Sequence, residues 1–169
     1  LELLPGAADA MLLKLQACAA MGDAQGAREQ ARAYLEAYPE QTEVYSVLGE
    51  LLAAMGDYAG AADAYASYIA SVEEAPASAY EMRGQCLLQM GRYEEAVADL
   101  SRAVDLGDEA QPRTHYLRAI ARMQLGDNEA AVEDLDVCVD HLEAEEARMA
   151  EDAEYVPEID PDVAYSRYY

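Results

Sequence analysis

The side chains able to do chemistry in this chain of 169 residues are 34 acids, 11 bases, two His and three Cys. Carboxylates dominate, and their first possible use would be general acid–base work or cation binding. Glu73-Glu74, Glu94-Glu95 and Glu145-Glu146 fall on polar stretches of helical pattern, however, and a dedicated acid or base needs burial that a solvated face does not give. Weak, unspecific divalent-cation binding is the most that the acidic segment suggests. His115 and His141 are the two His, and each reads as a core or surface residue rather than a catalytic one, while Cys18, Cys86 and Cys138 are widely spaced among apolar residues with no C-x-x-C, the pattern of small core residues. No phosphate-binding glycine loop, dinucleotide fingerprint, H-E-x-x-H, G-x-S-x-G or EF-hand loop occurs. The expectation is a non-enzyme with no cofactor and no metal.

The formal charge of −23 repels phosphate backbones and anionic bilayers alike, so nucleic acid and membrane surfaces are expected to be poor partners. No apolar run approaches the roughly 20 residues of a membrane span. The chain opens at Leu1 with neither a charged n-region nor an h-region, and its compartment is not readable; the cytoplasm is the default.

The elements that must position these side chains repeat. Gly22, Gly56, Gly91 and Gly126 each close an apolar helical stretch, at separations of 34, 35 and 35 residues, and three are followed by Asp. Glycine suits the left-handed position just past a helix C-terminus, so each marks the turn of a helical hairpin. Five residues on stand Ala27, Ala61, Ala96 and Ala131, where the two helices of a hairpin would cross closely.

Two units show the pattern most fully. One carries Tyr80, Gly84, Leu87, Gly91-Arg92-Tyr93, Ala96, Leu100 and Ala103; another carries Tyr45, Leu48-Gly49, Leu52, Gly56-Asp57-Tyr58, Ala61, Tyr65 and Tyr68. The outer units keep the turn and the alanine but depart at the aromatics, with Met11 and His115 in the leading places. This resembles the tetratricopeptide repeat family. The resemblance implies an all-α fold, a right-handed alpha-alpha superhelix of antiparallel helix pairs, with four repeats over 8–145 (8–41, 42–76, 77–111 and 112–145). Residues 1–7 look like the end of a preceding repeat or a short turn. Residues 146–154 read as an acidic capping helix and 155–169 as a Tyr-rich tail. That tail either docks in a groove, its own or that of a neighbouring molecule as a route to self-association, or opens another repeat at Asp160-Pro161.

In the family the first helices line a concave groove. Carried over position by position, the resemblance puts Leu12, Gln16, Glu43, Glu50, Glu81, Gln85, Leu88, Tyr116, Ile120 and Met123 in a peptide-binding groove. Its centre is expected to be acidic through Glu43, Glu50 and Glu81, and its C-terminal end apolar through Tyr116, Ile120 and Met123. Members that grip a C-terminal carboxylate use a Lys, Arg and Asn set that this chain lacks. The expected function is a protein–protein interaction module whose partner is a protein or peptide, basic with an apolar anchor. A structural spacer in a longer array and an accessory domain of a larger enzyme are the alternatives. Arg83 and Arg118 share a repeat position, and Asp99 and Asp134 follow each by 16 residues. They read either as two bracing ion pairs or as unrelated surface charges.

Overall fold

The computed structural model describes residues 6–107 and 112–154. The reading of Leu1 to Pro5 as a preceding repeat and that of the tail at 155–169 lie outside the described residues. Among the described residues there are eight helices and no strand: α1 (Ala7–Ala20), α2 (Ala24–Ala37), α3 (Val44–Ala54), α4 (Tyr58–Ser71), α5 (Ala77–Gln89), α6 (Tyr93–Leu106), α7 (Pro112–Leu125) and α8 (Asn128–Glu154). Consecutive pairs form hairpins, and each second helix packs on the next first helix, α2 on α3, α4 on α5 and α6 on α7.

The turns follow from two residue types. Gly22, Gly56, Gly91 and Gly126 all have left-handed φ between +72° and +81°, a region closed to most side chains. The Asp after the glycine then caps the second helix: Asp23 accepts the Gly26 N–H at 2.8 Å and Asp57 accepts the Gly60 N–H at 3.0 Å. Arg92 supplies no such acceptor and reaches along its helix to Glu95 instead.

Packing within a hairpin depends on size exchange where the helices cross. Ala27, Ala61 and Ala96 are 0% exposed and Ala131 is 1% exposed. A Cβ added at Gly84 would stand 2.8 Å from Leu100, and one at Gly49 would stand 2.8 Å from the Tyr65 ring. Small residues on the first helix thus admit large ones from the second. In unit one the equivalent places hold Leu15 and Ala31, both buried, with the sizes exchanged.

The fold departs from expectation at its end. Residues 146–154 do not form a separate capping helix but continue α8, which runs unbroken for 27 residues. Nothing between Asn128 and Glu154 breaks a helix, since the stretch contains neither Gly nor Pro. Leu142, just before this stretch, and Met149 within it are more than 60% exposed.

Overpacking the crossing should therefore destabilise the chain where adding bulk elsewhere should not. Ala96→Leu is expected to cost about 1–3 kcal/mol, whereas Ala98→Leu on the exposed face of α6 should stay within about 0.5 kcal/mol. Urea midpoints for the two variants check this; equal midpoints would refute the crossing assignment.

Candidate functional site

The ten groove candidates all lie on first helices or at their entry, and they divide by exposure. Gln16, Glu43, Glu50, Tyr116 and Met123 are exposed, the last two at 52% and 53%. Leu12, Gln85, Leu88 and Ile120 are half-buried. Leu12 packs on the core of units one and two, and Leu88 on that of units three and four. Between α3, α5 and α7 lies a cavity of about 360 Å³ with Glu50, Ala53, Met82, Gln85, Gln89 and Arg113 in its lining. It brings two of the candidates, Glu50 and Gln85, to one wall with Arg113.

Glu81 does not belong among the free groove acids. It is 8% exposed; its carboxylate accepts a hydrogen bond from Arg113 Nη1 at 2.6 Å and another from the Thr114 hydroxyl. A buried carboxylate must be neutralised or solvated, and α7 supplies both partners across the repeat junction. Glu81 therefore ties unit three to unit four. Arg113 also donates to Gln85 Oε1 at 2.8 Å, so the guanidinium stands at the groove wall with a side chain 59% exposed.

Both Arg–Asp pairs form. Arg83 Nε and Nη2 donate to the two oxygens of Asp99, each at 2.6 Å, a bidentate geometry that fixes both side chains. Arg118 Nη2 lies 2.6 Å from Asp134 Oδ1 and its Nε 3.0 Å from Oδ2. Sequence reasoning missed the rest of that cluster: Arg122 Nη1 lies 2.8 Å from Asp134 Oδ2 and His115 Nδ1 lies 2.8 Å from Oδ1. The spacing was available, because His115, Arg118 and Arg122 follow at three and four residues and share one helix face. Burial alone would push the Asp134 carboxyl upward, but the hydrogen bonds from Arg118 and His115 and the charges of Arg118 and Arg122 hold it below its ordinary value. It is a fixed anion rather than a proton carrier.

Two of the three thiols sit where the thiolate is disfavoured. Burial pushes Cys86 up to about 11, and burial together with the neighbouring Asp134 charge raises Cys138, whose Sγ donates to the Pro112 carbonyl at 3.0 Å. Among the described residues no group of three or more His, Cys, Asp or Glu stands ready to hold a metal ion, and no helix is long and apolar enough to cross a membrane.

The tetratricopeptide repeat model matches residues 46–112 and 82–162, together more than half of the chain. The chain belongs to the tetratricopeptide repeat family. Unit one lies outside the matched residues, and α1 and α2 supply its hairpin. Solved structures agree on the fold. A crystal structure of MamA superposes with a TM-score of 0.70 at 18% identity, covering 81% of this chain and 74% of that one. MamA from Desulfovibrio magneticus gives 0.67 at 22% identity, covering 79% and 74%. The second tetratricopeptide domain of Spaghetti (RPAP3), bound to the HSP90 peptide SRMEEVD, gives 0.55 at 26% identity, covering 60% of this chain and 94% of that one. No curated protein matches significantly.

Tetratricopeptide repeat proteins are typically non-enzymatic scaffolds, and the fold supports protein–protein interaction generally. In this tetratricopeptide chain the buried charges serve the scaffold, which makes its stability depend on pH in a definite direction. The folded-state value of Asp134 lies below its ordinary value near 3.8. The cluster's contribution is thus complete above that value and is lost as pH falls through the lower, folded one. Asp134→Asn, leaving two guanidinium groups without their anion, should cost about 3 kcal/mol at neutral pH. The gap between parent and variant in urea titrations should narrow below pH 3.8. A gap independent of pH would contradict the assignment.

Proposed function

We propose that the face made by α1, α3, α5 and α7 binds a peptide segment of a partner protein, with basic residues over unit two and an apolar anchor over unit four. The observation that carries this reading is the cavity between α3, α5 and α7, whose lining holds the exposed Glu50 together with Met82, Gln85, Gln89 and Arg113. A small concave site where polar groups converge beside apolar side chains is a common form of a recognition pocket. With Glu81 neutralised by Arg113, the acidic part of the face narrows to Glu43 and Glu50, both exposed. Tyr116 and Met123 supply exposed apolar area on α7.

Charge sets the class of ligand. The peptide held by the Spaghetti domain, SRMEEVD, carries three acids. Glu43 and Glu50 favour the opposite sign, and the field of a chain at −23 steers cationic partners while repelling acidic ones. Gln16, Leu12, Leu88 and Ile120 extend the face on either side of the cavity.

Short fluorescent peptides of graded charge, with and without a leucine or tyrosine anchor, test the reading by anisotropy. Basic anchored peptides are expected to bind most tightly, and binding should weaken with salt because the Debye length shortens from about 8 Å at physiological ionic strength to about 3 Å at 1 M. Glu43→Lys with Glu50→Lys should lower affinity by about tenfold, equivalent to about 1.4 kcal/mol. An affinity that survives both substitutions and high salt would exclude the site.

A further inference from the structure

At the two ends of the described stack, residues whose equivalents are covered in the inner units stand exposed. Between units three and four, Leu117 and Ala121 of α7 pack with Leu88 of α5 and with Val97 and Leu100 of α6. Moving the receiving side of this junction forward by one repeat gives Met123 on α7 and Val132 and Leu135 on α8. Moving the docking side back to unit one gives Leu13 and Ala17 on α1. Leu13, Met123 and Val132 are 64%, 53% and 56% exposed. Ala17 is also exposed.

The polar part of the junction moves with them. Within the chain, Arg118 Nη1 donates to the Ser101 hydroxyl across the seam at 3.2 Å. The same displacement carries Arg118 to Lys14 and Ser101 to Asp136, both exposed. A contact between a cation and a hydroxyl inside the molecule would become a contact between a cation and a carboxylate at its ends, so apolar surface and charge are complementary in one register.

We infer that copies of this chain stack end to end, α1 of one on the α7–α8 face of the next, as α7 lies on α5 and α6. The surface is separate from the groove centre at Glu50, and only Met123 is common to both. The contact is heterologous, joining two different patches, so a second copy leaves both outer ends open and further copies add in series. Long-range repulsion between molecules of charge −23 opposes the contact and is screened by salt. Stacking therefore strengthens as salt is raised, the reverse of the dependence expected of a basic ligand in the groove.

Sedimentation velocity of the whole chain from micromolar to millimolar concentration tests this. The sedimentation coefficient should rise with concentration, and more steeply at high salt. Leu13→Glu or Val132→Glu, each at an exposed position that circular dichroism should show still folded, is expected to raise the dissociation constant at least about tenfold by placing a carboxylate in the seam. Lys14→Glu alone and Asp136→Lys alone should each weaken stacking, and a mixture of the two should restore contacts between swapped ends. A chain monomeric throughout overturns the inference. So does association indifferent to Leu13→Glu and Val132→Glu, or association abolished by removing 155–169 alone, which would give the contact to that segment.

Discussion

Two helices of a hairpin can lie close along their length only where one of the residues facing at the crossing is small, and this constraint organises the molecule. Gly49 lies under the Tyr65 ring and Gly84 under Leu100, while Ala27, Ala61, Ala96 and Ala131 sit sealed in the same seams. Close crossings bury the large partner and fix the angle between the helices. Once that angle is set, the order of packing follows: each second helix is presented to the next first helix, and the first helices fall on one side. The turn glycines and capping aspartates serve the same end by reversing the chain in very few residues.

Along the stack the means of holding the hairpins changes. Units one and two share a continuous apolar core that includes Leu15, Leu48, Leu52 and Tyr65. Units three and four have a smaller apolar cluster and add buried ions: Arg83 with Asp99, Glu81 with Arg113 and Thr114, and Asp134 with His115, Arg118 and Arg122. Breaking such a network is costly because the charge left behind is buried. A chain with three times as many acids as bases thus places several of its scarce arginines inside the scaffold, and only Arg113 among them also stands at the groove wall.

Most of the fold was legible because its determinants are local and recur. The turn glycines, the crossing alanines and the 16-residue Arg–Asp spacing are each set by geometry within one repeat, and the structure places them as their spacing implied. What sequence reasoning missed lies between repeats or beyond them. Glu81 read as a free groove acid because nothing near it in the chain neutralises it; its partners come from α7, 32 and 33 residues on. The end of α8 read as a separate cap because its composition shifts there, although no breaker residue divides it. His115 read as a core or surface residue because its anion, Asp134, belongs to the opposite helix. Exposure of the groove candidates depends on neighbours in the next unit, so residue type alone could not separate Glu50 from Glu81.

The proposed function divides the labour: the exposed faces of the first helices meet the partner, while the second helices, with the Glu81 contacts between α5 and α7, hold the stack. Amide hydrogen exchange of the whole chain, free and saturated with a basic, tyrosine-anchored peptide, measures that division directly. Slowed exchange is expected in α3, α5 and α7, at residues 44–54, 77–89 and 112–125, with α2, α4 and α6 unchanged. Slowed exchange confined to α2, α4 and α6 would contradict it.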